Sequence, residues 1–108
     1  AHLLIRRSGE VVQFVSFLQR AWHAGASNYL GRENCNDFSV GIELEGADDI
    51  AYEDVQYQHL VMIVQTLQQH YPHIAQHITG HSDIAPQRKT DPGDAFDWSK
   101  FWQLIGQE

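Results

Sequence analysis

"FSVGIELEGADDIAYEDVQYQHLVMIVQTLQQHY", residues 38–71, changes its hydrophobic period partway along. Over its first part Val40, Ile42 and Leu44 alternate with Gly41, Glu43 and Glu45, the repeat of a β-strand with one apolar face. Beyond Glu53 the spacing turns helical: Val55, Leu60, Ile63, Val64, Leu67 and Tyr71 recur on one side, with Tyr57 and Val61 beside them. Glu53 and Asp54 suit the positive end of the helix dipole, and Pro72 stops the helix. A one-sided strand followed by a long amphipathic helix predicts a sheet with a helix packed on it.

Working outward, "AHLLIRR" (residues 1–7) and "EVVQFVSF" (residues 10–17) are rich in β-branched and aromatic residues. They flank "RSGE", a turn signal around Gly9, and predict a β-hairpin. Between hairpin and strand, "AWHAGASNYLGRENCNDF" (residues 21–38) has glycines, asparagines and no period, which predicts a long loop. Beyond Pro72, "GHSDIAPQRKTDPG" (residues 80–93) is too broken to be one helix or strand. Asp97 is a good N-cap for a final helix, "WSKFWQLI", with Trp98, Phe101, Trp102 and Ile105 on one side. Strands first and helices afterwards give the class α/β, and 108 residues give one domain, residues 1–108.

The totals exclude some functions. Acidic residues outnumber basic ones 14 to 7, a balance that phosphate backbones repel, so no nucleic-acid partner is expected. No apolar run approaches the ~20 residues that cross a bilayer, so no membrane partner is expected either. A single cysteine, Cys35, cannot form an internal disulfide and leans toward a reducing compartment. The chain opens on strand-like residues without an initiator Met, which reads as the remainder of a longer protein.

Several residues are candidates for chemistry. His70, His73, His77 and His81 crowd together, but Pro72 interrupts the spacing and no carboxylate or cysteine completes a shell for the first three. His59, His70, His73 and His77 are therefore expected to be surface histidines. His81 follows Gly80 where an extended segment ends, and Asp91 comes after it across a loop pinned by Pro86 and Pro92. Imidazole and carboxylate are zinc donors, so the two could supply part of a site; equally, the aspartates could cap turns and His81 bond its own loop. Glu43 faces away from the apolar side of a strand expected to be central. It is either a functional carboxylate, such as a general base, or one of two glutamates marking the wet face. Trp22 on the glycine-bearing loop is either a stacking surface for a sugar ring or an anchor that folds the loop onto the core.

Taken in order, "AHLLIRRSGEVVQFVSF", "AWHAG", "NDFSVGIELEG" and "TGHSDIAPQRKTDPG" resemble the zinc N-acetylmuramoyl-L-alanine amidases, a group that includes phage amidases and the peptidoglycan recognition proteins. The likeness covers essentially the whole chain. It implies a central mixed sheet flanked by helices, with its N-terminal part lying upstream of Ala1, and a Zn2+ cleft on one face. It implies His81 and Asp91 as zinc ligands, with the third ligand, a histidine, expected upstream of Ala1; His2 aligns with a different family position. It implies Glu43 as general base, Lys89 as oxyanion stabiliser, and Trp22 and His23 as substrate wall. Arg32 is a candidate contact for the carboxylates of the peptide stem.

The expected substrate is an anhydromuropeptide of cell-wall recycling, cut between (anhydro-)N-acetylmuramic acid and L-alanine. The expected enzyme is a cytoplasmic monomer, and residues 1–108 alone are expected to bind zinc poorly, to be nearly inactive and to expose a sheet edge. The alternative is a non-catalytic muropeptide-binding module of the same fold. Glu43 and Lys89 favour the enzyme, because a pure binder needs neither.

Overall fold

The computed structural model describes residues 1–22, 24–47 and 49–106. Strand β1 (Leu3–Ile5) turns back into β2 (Val11–Gln13), antiparallel, with Leu4 opposite Val12. Gly9 takes φ +93° in the turn, and Arg6 N–H donates to Glu10 O at 2.8 Å. The predicted hairpin is present but short. Its second strand stops at Gln13, and Phe14 and Leu18 lie exposed beyond it.

The 21–38 loop has structure that its aperiodic sequence hid. A two-stranded hairpin, β3 (Asn28–Tyr29) and β4 (Arg32–Glu33), turns through Leu30 and Gly31, both at positive φ, and a 3-10 turn follows at Cys35–Asp37. Two positive-φ residues make the tight turn whose twist suits a hairpin, usually marked by Asn-Gly rather than Leu-Gly.

Strand β5 (Ile42–Leu44) pairs parallel to β1, with Leu4 opposite Glu43. The strand order is β2-β1-β5, so the sheet is mixed, as the resemblance implies. Among the described residues β1 lies between the other two strands and β5 stands at the edge. The hairpin occupies one side of β1 and leaves only the other for β5.

Helix α1 (Asp54–His70) starts on a capping box in which Glu53 and Gln56 each bond the other's backbone N–H. Its apolar side, Tyr57, Leu60, Val61 and Val64, packs with Ile5, Phe96 and Phe101 in one core, and full burial of such side chains is worth about 1.5–3 kcal/mol each. Tyr71 departs from the expected face: it has left the helix, at φ −134°, and is 41% exposed. Pro72 ends α1 and opens a 3-10 turn, Pro72–Gln76. The 80–93 segment begins with one helical turn, α2 (His81–Ile84), and α3 (Trp98–Gly106) closes the chain. Asp97 Oδ1 accepts from Lys100 N–H at 3.0 Å, the expected cap. Phe101 is buried, whereas Trp102 on the same side is 43% exposed. No helix among the described residues is long and apolar enough to cross a membrane.

Candidate active site

His81 and Asp91 meet because Gly80 allows it. Gly80 holds extended backbone, and a Cβ there would lie 2.6 Å from Pro92 Cδ, so glycine alone admits the proline ring at this distance. Two hydrogen bonds hold the approach, from Ser82 N–H to Asp91 O and from Tyr52 O–H to Pro92 O, each at 3.0 Å. As a result His81 Nδ1 lies 2.6 Å from Asp91 Oδ2. The imidazole is 15% exposed and the carboxylate 47%. A carboxylate at that distance fixes the ring's orientation. The bond from His81 to Asp91 spans the 80–93 loop, and both sequence readings of His81, a zinc donor beside Asp91 or a residue bonding its own loop, are compatible with it.

Glu43 projects from β5 on the face opposite to Ile42 and Leu44, which pack against the core. By alternation Glu45 shares that face, but Glu45 is occupied: it accepts from Arg7 N–H at 2.9 Å and lies 4.0 Å from Arg6 Nε. Glu43 forms no ion pair among the described residues. It is the glutamate left available. Glu43, His81 and Asp91 line one cavity of about 1130 Å³, together with Arg32, Tyr29 and His77.

Arg32, on β4, lays its guanidinium 4.1 Å from the Phe38 ring centroid. Lys89 is half-buried and lies outside the cavity lining; its backbone N–H donates to Ala85 O at 2.9 Å. Trp22 also lies outside the lining. It stands 78% exposed between the buried Ala21 and Ala24, with Arg20 Cζ 5.2 Å from its ring, so it faces solvent and does not anchor the loop to the core. His23 lies outside the described residues.

The remaining histidines divide. His70 and His73 are exposed, as expected. His77 is exposed, yet its Nδ1 lies 3.0 Å from Tyr29 Oη. His59 is not a simple surface residue: half-buried, it places Nδ1 2.5 Å from Gly9 O and ties the hairpin turn to α1. His2 is buried at 1% exposure, with Nε2 2.8 Å from Gln19 O and Nδ1 accepting from Gly41 N–H at 3.1 Å. It braces the strand before β5 and is not turned to the cavity.

Buried Gln56 was missed by sequence reasoning; its amide donates to Ile5 O at 3.2 Å and Glu45 O at 2.9 Å. The Glu53-x-x-Gln56 spacing was the available signal, since a capping box places Gln three residues past the cap.

For a metal, the donor types fit and the count stops short. His81 and Asp91 offer imidazole nitrogen and carboxylate oxygen at one point. No group of three or more His, Cys, Asp or Glu among the described residues is placed to hold an ion.

A mixed sheet backed by α1, with a His–Asp corner and a free glutamate on one cavity, is the frame of an amidase: residues 1–94 match the family model described as N-acetylmuramoyl-L-alanine amidase, and the chain belongs to that family. Within it, the chain is 62% identical over 108 residues to the 1,6-anhydro-N-acetylmuramyl-L-alanine amidase AmpD of Escherichia coli K12, covering 100% of this chain and 59% of that protein. A crystal structure of a selenomethionine AmpD derivative superimposes with a TM-score of 0.96 at 61% identity, over 97% of this chain and 59% of that one. Pseudomonas aeruginosa AmpDh3, solved in complex with anhydromuramic pentapeptide, matches at a TM-score of 0.85 and 33% identity, over 95% of this chain and 49% of that one. The chain thus spans about three-fifths of the curated relative it matches (59%).

Proposed function

We propose that the protein hydrolyses the amide between (anhydro-)N-acetylmuramic acid and L-alanine in cell-wall muropeptides, as a zinc enzyme of cell-wall recycling. The observation that carries this reading is the approach of His81 to Asp91 at 2.6 Å, with Glu43 on β5 forming no ion pair among the described residues. The names of the relatives, and the anhydromuramic pentapeptide bound to AmpDh3, support the substrate class.

His81 and Asp91 would hold the zinc, with a further histidine from outside these residues, since a catalytic zinc takes three protein ligands. Zinc in such a site lowers the pKa of water to about 7 and polarises a carbonyl. The chain's own groups do the rest. Glu43 takes a proton from the attacking water and returns one to the leaving nitrogen of L-alanine. Lys89, which lies outside the cavity lining, would have to turn its compact ammonium inward to meet the developing oxyanion, a contact worth roughly 3–4 kcal/mol in comparable sites. Trp22 offers its exposed face to the sugar ring, and Arg32 meets the stem carboxylates. A cytoplasmic monomer is the accompanying proposal; the lone Cys35 suits a reducing compartment.

Incubating the intact protein with an anhydromuropeptide should release the peptide. Glu43→Ala should lower turnover by about 10²–10⁴-fold, the usual contribution of a positioned base. Wild-type turnover in that variant removes the proposed base. A second reading, a muropeptide-binding module, is favoured by the two-donor count among the described residues. Metal analysis separates the two: about one zinc per chain for the enzyme, none for the binder.

A further inference from the structure

We propose that Arg88 is a positioning residue that locks the Trp22 loop onto the loop carrying Lys89 and Asp91, and so sets the wall on which the substrate's sugar lies. The inference rests on the amidase reading above for its substrate. Its geometry is independent of that reading.

Arg88 Nη2 donates to Ala24 O and to Ala26 O, each at 2.6 Å, and Nε donates to Ala26 O at 3.2 Å. The same residue is tied to its own loop, where its backbone N–H donates to the carbonyl of buried Ala85 at 3.0 Å. Arg88 is exposed and forms no ion pair among the described residues; its side-chain hydrogen bonds go to these carbonyls. A planar fork can span two carbonyls that stand two residues apart; a lysine ammonium is a single point and cannot reproduce the pattern.

Gly25, between the two carbonyls, takes φ +62°, and a Cβ on it would meet Arg88 Nη2 at 3.0 Å. The loop is shaped to lie under the guanidinium. Trp22 is two residues before Ala24, and Lys89 follows Arg88 directly. One side chain therefore joins the backbone just beyond Trp22, at Ala24 and Ala26, to the segment that ends in Asp91. Ala26 and Arg88 are exposed, and Ala24, though buried, does not belong to the hydrophobic cluster around Phe96 and Phe101, so releasing the clamp should shift one loop against another and leave that cluster intact.

The test uses the intact protein and two kinds of readout. Arg88→Ala should raise KM for the anhydromuropeptide about tenfold with kcat changed by less than about threefold, the mark of lost positioning in binding. Zinc content should be unchanged. Free guanidinium ion at non-denaturing concentration should recover part of the loss. Gly25→Ala, which pushes a methyl against the clamp, should shift KM in the same direction. Separately, hydrogen exchange at the amides of residues 24–27 should quicken in Arg88→Ala while Tm stays near wild type. An unchanged KM, an equal fall in kcat, or a lowered Tm without faster exchange at residues 24–27 would overturn the proposal. If the wild-type protein neither cleaves nor binds muropeptide, the amidase reading fails, and the exchange comparison still decides the clamp.

Discussion

Four histidines fall within residues 70–81, and the fold treats the last of them differently from the other three. His70, His73 and His77 surround Pro72, lie exposed, and gather no carboxylate. His81 stands only four residues beyond His77, yet it is largely buried and bonded to Asp91. Density of imidazoles along the sequence does not separate the two. What separates them is Gly80, whose missing side chain lets Pro92 close over the backbone and deliver a carboxylate to one histidine alone.

The strongest test of that contrast is to remove the corner itself. On the zinc-amidase reading proposed above, His81→Ala or Asp91→Asn should lower hydrolysis by more than about a hundredfold, since losing a ligand would exceed the 10–100-fold cost of losing its support. Zinc content should fall with it. Gly80→Ala is milder: the forced displacement of Pro92 should cost about 1–3 kcal/mol of stability, read from denaturant unfolding, and loosen zinc about tenfold. His77→Phe keeps a ring against Tyr29 but removes its hydrogen bond, and should cost at most about 1 kcal/mol with zinc content untouched. His70→Ala and His73→Ala should leave both hydrolysis and zinc within about twofold of wild type, as surface substitutions do. Loss of zinc in either variant would erase the distinction between His81 and the other three.

The parts of the fold that were legible are those governed by local physics. The alternation at Val40, Ile42 and Leu44 placed β5, and the helical spacing from Val55 to Leu67 placed α1, because each period reports one buried face. Strand pairing was not legible: among the described residues β1 lies between β2 and β5 through pairing across residues distant in sequence. The Leu30–Gly31 turn was hidden because leucine rarely occupies positive φ.

The site divided in the same way. Donor types at His81, Asp91 and Glu43 could be nominated from spacing and resemblance. Their sharing of one cavity depends on Gly80 beneath Pro92, a contact no local pattern announces. Lys89 and Trp22 were nominated on the same grounds and stand outside that cavity's lining. Arg88 was passed over, since its three contacts are to carbonyls, which carry no signature in a sequence.

Gln56 gives the fold a chemical vulnerability of an unusual kind. Its NH₂ group serves the carbonyls of Ile5 and Glu45, at the ends of two neighbouring strands. Deamidation would keep its size and shape while turning the donor into an anion aimed at two oxygen atoms. Such a lesion, nearly invisible by mass, would push the strands off the helix from within. With 0% of Gln56 exposed, water reaches this amide only when the protein opens, so its ageing clock runs on the unfolded population and not on time in the native state.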